Sequence, residues 1–177
     1  MSLVGLYIPT EQGAATSLES KTHATLVLAN SKFRQNKAKS GGALLVHSKY
    51  GIIELTITRV NFTECFAAKF GCALLVGDPK THKLTKRIAT TYKVLATLRQ
   101  VRVQNCYGVK RHTRYPWRKC IVFHFLLFNG NVTLNVSSWT DNLYSIDTAL
   151  MVGNAGGKTD IQFLGAPLSA IPPILQV

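Results

Sequence analysis

The sequence predicts an all-β protein whose strands stack as the coils of a parallel β-helix. The first observation is an internal repeat. SKFRQNKAKSGGALLV at 31–46 is followed by VNFTECFAAKFGCALLV at 60–76, and Phe33 lies 29 residues before Phe62. The second observation is that apolar residues alternate within each unit, without a sustained helical period. Units of this length indicate a stacked architecture, because one unit cannot bury its apolar face alone.

Two further copies follow and are less well kept. TLRQVRVQNC (97–106) repeats the pattern of TITRVNFTEC (56–65), and VTLNVSSWTDN (132–142) repeats it again. The aligned inward anchors are Phe33, Phe62, Val103 and Trp139. Their spacings are 29, 41 and 36 residues. The longer spacings are typical of stacked units that carry insertions in their loops.

Each unit predicts three short strands separated by corners. In the second unit Leu55 and Ile57 alternate with polar residues. A three-residue step then leads to Val60 and Phe62, which predicts a strand, a bend and another strand. A third strand, Ala-Leu-Leu-Val, follows the small-residue corner Gly41-Gly42, where the backbone turns tightly. The predicted ladder pairs each anchor with a corner residue: Phe33 with Asn36, Phe62 with Cys65, Val103 with Cys106, and Trp139 with Asn142.

These motifs resemble those of a known family. F-x-x-N from Phe33 to Asn36, together with G-G-A-L from Gly41 to Leu44, is similar to the repeats of polymorphic outer-membrane proteins and of large extracellular animal β-helix proteins. The resemblance covers residues 23–153. It implies a right-handed parallel β-helix of about four to five coils.

The predicted organisation has three parts. Residues 1–22 form a partial first coil or an irregular segment, and 23–153 form the coils, with basic loops inserted at 77–93 and 108–119. Residues 154–177 form a turn and an irregular tail. A solenoid needs polar caps, and none is evident in the sequence. We therefore expect a piece of a longer extracellular protein, whose neighbouring coils are partners of this chain.

The charge predicts an anionic partner. Lys and Arg total 21 against eight Asp and Glu, so the formal charge is +13. The stretches 80–93 and 110–119 hold ten of the 21 basic residues and carry Tyr92, Tyr115 and Trp117, a mixture that suits acidic glycans. The alternative is a pair of solvated loops that keep the solenoid soluble. The candidate ligand-binding residues are Lys83, Lys86, Arg87, Lys110, Arg111, Arg114, Trp117, Arg118 and Lys119.

The leading functional hypothesis is a non-enzymatic extracellular structural or adhesion module that binds acidic glycans. The alternative is a β-helix carbohydrate-active enzyme of the polysaccharide lyase or glycoside hydrolase type. Such enzymes need paired carboxylates or calcium. Glu54 and Asp141 do not share a column of the predicted coils, and Glu64 is two coils from Asp141. No catalytic residue, metal ligand or cofactor is therefore predicted, and nucleic-acid binding, supported by charge alone, ranks third.

Cys65 and Cys106 occupy the same corner in adjacent predicted coils. Stacked strands lie about 4.8 Å apart, which is near the lower end of the Cα separations that a disulfide accepts. We expect either a disulfide between Cys65 and Cys106 or a buried pair of thiols.

Three N-glycosylation sequons begin at Asn61, Asn131 and Asn135. Each asparagine lies beside an inward position, hence on the outer face. This placement favours the secretory pathway and an extracellular or cell-surface location, although residues 1–13 do not read as a signal peptide. The longest apolar run, at 121–128, is far shorter than the roughly 20 residues that cross a bilayer.

Overall fold

The computed structural model describes residues 2–4, 16–20, 22–48, 51–77, 92–107, 109–112, 115–119, 123–140, 150–163 and 174–176. Every regular element in these ranges is a β-strand, so the predicted all-β class is confirmed for the described residues. The strands are β1 (Ser2–Val4), β2 (Thr16–Ser20), β3 (His23–Ala29), β4 (Lys32–Arg34), β5 (Lys37–Ser40), β6 (Leu44–Ser48), β7 (Gly51–Thr58), β8 (Asn61–Thr63), β9 (Phe66–Phe70), β10 (Leu74–Val76), β11 (Tyr92–Gln104), β12 (Val109–His112), β13 (Tyr115–Lys119), β14 (Phe123–Thr140), β15 (Leu150–Phe163) and β16 (Ile174–Gln176).

Three stacks of parallel strands organise the chain, and β5 and β9 form a further, separate parallel pair where the sequence predicted only three strands per unit. The first stack runs β3, β7, β11, β14, β15. The second runs β1, β4, β8, then the ends of β11 and β14. The third runs β2, β6, β10, the starts of β14 and β15, and β16. We call one passage through the stacks a tier: tier 1 is 23–48, tier 2 is 51–77 and tier 3 is 92–125.

Apolar side chains line up from tier to tier in the first stack. Leu55 pairs with Leu26 on one side and with Ala96 on the other, and Ile57 pairs in the same way with Leu28 and Leu98. Residues Leu55, Ile57 and Leu98 are buried. The strands alternate, so each buried residue is followed by a more exposed one. Each fully buried Leu or Ile contributes about 1.5–3 kcal/mol relative to an exposed side chain.

Aromatic side chains fill the second stack. Phe33 pairs with Phe62, Phe62 with Val103, and Val103 with Trp139. The rings of Phe33 and Phe62 stack with centroids 5.2 Å apart and an interplanar angle of 11°. Phe123, from the third stack, meets Phe62 edge-on at 5.6 Å. Such ring pairs contribute about 0.5–1.5 kcal/mol beyond the area they bury, and they fix the register of β4 on β8.

The corners use a left-handed backbone at the same place in every tier. At the first corner, between the first and second stacks, Asn30, Arg59 and Gln100 have φ of 51°, 55° and 54°. Their amides continue the pairing between tiers: Asn30 N donates to Thr58 O and Arg59 N to Arg99 O, both at 3.0 Å. At the second corner the equivalent left-handed residues are Gln35, Glu64 and Asn105.

The corner before the third stack needs glycine for two reasons. Gly41 and Gly71 have φ of 63° and 61°, in the left-handed region that favours glycine. Gly42 lies so close to tier 2 that an added Cβ would come within 2.1 Å of Cys72 O. The predicted tight turn at Gly41-Gly42 thus combines a conformational demand with a steric one.

The structure differs from the predicted organisation at the insertions and at the C-terminal end. In tier 3 the third-stack strand is Phe123–Phe125, which pairs with Leu74–Val76. The second insertion contains an antiparallel hairpin of β12 and β13 rather than only a loop. Residues 154–177, expected to be a turn and an irregular tail, instead contain most of β15 and all of β16, both in parallel pairing. Of the first insertion, 78–91 lies outside the described residues.

Candidate functional site

A polar groove of about 480 Å³ follows the first corner across the tiers. Each tier contributes the left-handed corner residue and the outward residue at the start of the next strand. The described residues that line it are Asn30, Ser31, Lys32, Arg59, Asn61, Gln100, Arg102 and Ser137.

Strand register builds one wall of this corner groove. Lys32 pairs with Asn61, and Asn61 pairs with Arg102. Each of these residues precedes an anchor, such as Phe33 or Phe62, that is buried in the core. Because side chains alternate along a strand, an inward anchor forces its neighbour outward. Lys32, Asn61 and Arg102 therefore form a column on the outer surface.

Left-handed backbone builds the other wall. The turn itself contains Asn30, Arg59 and Gln100. Their positive φ values of 51–55° change the direction of the chain at the end of each strand. Asn tolerates this region better than most residues, whereas Arg and Gln adopt it at a cost of roughly 1–2 kcal/mol. The hydrogen bond between Arg59 N and Arg99 O holds the turn in place.

The groove concentrates positive charge. Lys32 and Arg102 stand in one column, two tiers apart, or about 10 Å at the 4.8 Å spacing of strands. Arg59 lies in the intervening tier on the opposite wall. None of the described lining residues is acidic. The three cations therefore repel one another across the groove, and an anion bound between them relieves that repulsion.

The carboxylate of Glu64 is engaged at the second corner instead. Gln35 Nε2 donates to Glu64 Oε2 at 2.6 Å. Arg34 Nη2 lies 3.9 Å from Glu64 Oε1. This second-corner cluster links tier 1 to tier 2, and Glu64 is not among the described residues that line the groove.

Main-chain groups along the groove are already used between tiers. Asn61 N donates to Ser31 O, and Arg102 N donates to Val60 O, both at 3.0 Å. The two hydroxyls that line the groove are also engaged: Ser31 Oγ donates to Ala29 O, and Ser137 Oγ donates to Val101 O. These main-chain groups and hydroxyls are therefore used within the stacks, whereas cationic and amide side chains line the groove.

The lining chemistry suits an anionic, hydroxyl-rich ligand. Ammonium and guanidinium groups bind carboxylate, sulfate or phosphate. The amides of Asn61 and Gln100 can both donate and accept, as sugar hydroxyls require. No nucleophile with an adjacent base, and no carboxylate pair, stands among the described lining residues.

Cys65 and Cys106, for which the sequence left a disulfide or a buried pair of thiols open, stand in the structure as buried free thiols. The hydrogen bond from the Cys106 thiol lowers the pKa of Cys65, against the opposing effect of burial, and hydrogen bonds from Asn36 act in the same direction as Cys106. Burial raises the pKa of Cys106 well above its usual range, and the neighbouring Cys65 raises it further. Asn36, Cys65 and Cys106 thus form a buried column at the second corner.

The three sequon asparagines have different surroundings. Asn131 is exposed, and its Oδ1 accepts a hydrogen bond from Lys158 N at 3.1 Å. Asn135 is half-buried, and its Oδ1 is enclosed without a hydrogen-bond partner. Asn61 is half-buried and lines the groove. The sequence predicts the same outer-face position for all three asparagines, whereas the structure gives them different exposure and different hydrogen-bond partners.

None of the predicted ligand-binding residues is among the described residues that line the groove. Lys110 and Arg111 are on β12, and Trp117, Arg118 and Lys119 are on β13, where Lys110 pairs with Arg118. In this hairpin, Lys110 and Arg118 are therefore directly paired positions on neighbouring strands. Four predicted ligand-binding residues and one ladder residue lie outside the described residues: Lys83, Lys86, Arg87, Arg114 and Asn142.

Sequence reasoning missed Lys32, Arg59 and Arg102. Each lies in a different repeat, so the three do not form a cluster in the sequence as the basic insertions do. The signal that identifies them is their place in the alignment. Arg59 and Gln100 fall just before the inward Val60 and Val101, and Lys32 and Arg102 fall just before the anchors Phe33 and Val103.

A metal site and a membrane-spanning helix are both absent from the described part of the chain. The described part of the chain contains no group of three or more His, Cys, Asp or Glu that could hold a metal ion. It also contains no helix long and apolar enough to cross a membrane. Comparison with protein-family models, with curated proteins and with solved structures finds no match to the chain.

Proposed function

We propose that the three stacks belong to one right-handed parallel β-helix. The strands of the three stacks alternate along the chain, which supports a path that coils through them in turn. The left-handed corner residues recur in successive tiers, as repeated turns of one coil require. The right hand follows from the strong preference of parallel crossover connections. The sequence repeats F-x-x-N and G-G-A-L are consistent with this architecture.

The β-helix acts as a non-enzymatic module that binds acidic glycans through the corner groove. The observation that carries this proposal is the convergence of Lys32, Arg59 and Arg102 on one groove whose described lining holds no carboxylate. The amide side chains that share the groove favour a ligand rich in hydroxyl groups. The basic hairpin of β12 and β13 provides a second contact for the same polymer, which would strengthen binding by multivalency.

The proposed setting is outside the cell, as a structural or adhesion module. Asn131, an exposed sequon residue, supports passage through the secretory pathway. The overall charge of +13 supports attraction to anionic polymers before the groove is engaged.

A charge-removing variant of the groove tests this function. The triple variant Lys32→Asn, Arg59→Asn, Arg102→Asn uses a residue that neighbouring tiers already place there, because Asn61 stands in the strand column and Asn30 at the corner. We expect affinity for heparin oligosaccharides to fall roughly 100-fold, from about 1 kcal/mol for each lost cation. Isothermal titration calorimetry at fixed salt measures this change.

The matched control removes three cations elsewhere. Lys37, Lys93 and Lys158 are exposed and do not line the groove, so the triple Gln variant lowers the net charge equally. It should retain affinity within a few-fold, since general attraction alone is affected. Equal losses in the two triple variants would contradict a groove-specific site. Release of shortened glycan products would contradict the non-enzymatic assignment, and tighter binding of single-stranded DNA than of heparin would contradict the glycan assignment.

A further inference from the structure

Asn61 combines two features that no other described residue combines. It is the acceptor residue of the sequon N-F-T, and its side chain lines the corner groove. We propose that N-glycosylation of Asn61 closes the groove, so that the glycosylated protein and the glycan-binding protein are mutually exclusive forms. This inference depends on the proposed glycan-binding function of the groove.

The position of Asn61 explains why its glycan blocks the site. In the strand column Asn61 lies directly between Lys32 and Arg102, with which it pairs on either side. Neighbouring strands are about 4.8 Å apart. A sugar on Asn61 Nδ2 therefore begins between the two cations, at the place where the proposed site binds an anionic group. The bulk of an N-glycan then occupies space that a ligand crossing the tiers needs.

The other two sequons do not have this effect. Asn131 and Asn135 are on β14 in the first stack, where they pair with Lys158 and Gln162 of β15. Neither is among the described residues that line the groove. Their modification leaves the groove open, which makes Asn131 a natural control.

The acceptor is suited to modification. The Asn61 side chain is half-buried, and so is that of Thr63, the third residue of the sequon. The main-chain amide of Asn61 is used in its bond to Ser31 O, but that bond does not involve Nδ2. In the transfer step Nδ2 attacks C1 of a lipid-linked oligosaccharide donor. The C1–O bond to the donor diphosphate breaks, the diphosphate leaves, and Nδ2 loses one proton as the N–C1 bond forms.

Three preparations of the full chain test the inference. The first is unglycosylated protein from bacteria. The second is protein secreted, with an added signal peptide, by a host that attaches neutral oligomannose glycans, which excludes charge repulsion as the cause of lost binding. The third is the secreted Thr63→Val variant, which removes the sequon and keeps Asn61. The secreted Asn131→Gln variant is the matched control. Glycopeptide mass spectrometry reports which sites are occupied.

We expect the bacterial protein and the secreted Thr63→Val variant to bind heparin oligosaccharides equally. Secreted wild type and Asn131→Gln, with Asn61 occupied, should bind at least 10-fold more weakly. An unmodified Asn61 in the secreted protein would overturn the inference, and so would equally tight binding when Asn61 is occupied. Lack of binding by the bacterial protein would instead overturn the proposed function itself, so the two failures are distinguishable.

Discussion

Arg59 shows how a single residue can serve both the fold and the site. Its φ of 55° is unusual for a residue other than glycine, yet the same conformation recurs at Asn30 and Gln100 in the adjacent tiers. Its guanidinium is one of the three cationic groups of the groove. The backbone requirement and the charge requirement are separable, because Asn satisfies the first without the second.

Substitutions of Arg59 should separate these two requirements. Arg59→Val should destabilise the protein by about 2 kcal/mol, because a β-branched side chain is strained in the left-handed region. Arg59→Asn should change the free energy of unfolding by less than about 0.5 kcal/mol, since Asn tolerates this conformation. Urea denaturation measures both, and both variants should lose heparin affinity to a similar extent. Equal stability of the two variants would contradict the assigned left-handed corner.

The buried thiol pair gives a pH dependence with a definite sign. Burial raises the pKa of Cys106 well above its usual range. In the unfolded chain the same thiol ionises near pH 8.5, so above that pH the unfolded state binds fewer protons and the free energy of unfolding falls. The contribution of Cys106 is complete below about pH 8.5 and is lost as the pH rises. Between pH 8.5 and pH 10 the free energy of unfolding should fall, by at most about 1.36 kcal/mol for each pH unit.

Cys65 does not cancel this loss. Its pKa is lowered, mainly by the hydrogen bond from Cys106, so its contribution to stability is present above the pKa of the unfolded chain and is lost only as the pH falls. Urea denaturation at pH 7.5 and pH 10, under reducing conditions, measures the effect. The double variant Cys65→Ala, Cys106→Ala should show a smaller decrease in the free energy of unfolding than wild type. The same decrease in both proteins would refute the assignment.

At the scale of the strands, repeated sequence accounts for much of the register. The alignment of repeats places Phe33, Phe62, Val103 and Trp139 at equivalent positions, and the structure pairs these residues in order. The reason is physical: an inward aromatic or branched side chain stacks best on another of its kind in the tier below. A slip of one residue would turn each buried anchor towards solvent.

Two strand segments, 123–125 and 150–163, were not predicted from the sequence. Phe123–Phe125 pairs with Leu74–Val76, but the hairpin of β12 and β13 falls before it in the chain and removes the expected spacing. The alternating phenylalanines at 123 and 125 were the remaining signal. The strand at 150–163 was missed for another reason, because Gly156, Gly157 and polar neighbours read as a turn. Gly157 packs against Gly130 O in the tier beside it, where a Cβ would clash.

The groove could not be predicted from local sequence because it is a property of stacking. Lys32 and Arg102 are 70 residues apart in the chain, and only the parallel pairing of β4, β8 and β11 brings them into one column. The sequence did predict an anionic partner, from the excess of 21 basic over eight acidic residues. It assigned the contact to the conspicuous basic insertions, whereas the site proposed from the structure is contributed by three tiers.

At the scale of the whole molecule, the proposed groove presents side chains at a regular spacing along the stack, and such a row suits a linear polymer. Each tier advances by about 4.8 Å, so side chains at one place in successive tiers present a row with a fixed repeat. In the proposed function, the cations at tier 1 and tier 3 of the strand column, with Arg59 on the opposite wall, set the spacing at which negative charges are recognised. The central claim is therefore that the acidic glycan lies in this row.

Chemical footprinting of lysines tests that claim most directly. Amine acetylation with and without a heparin oligosaccharide, read by peptide mass spectrometry, reports the protection of each lysine separately. We expect Lys32 to be protected at least several-fold, while the exposed Lys37, Lys93 and Lys158 react at unchanged rates. An unprotected Lys32, with protection confined to Lys83, Lys86, Lys110 and Lys119, would place the ligand on the basic insertions and contradict the account.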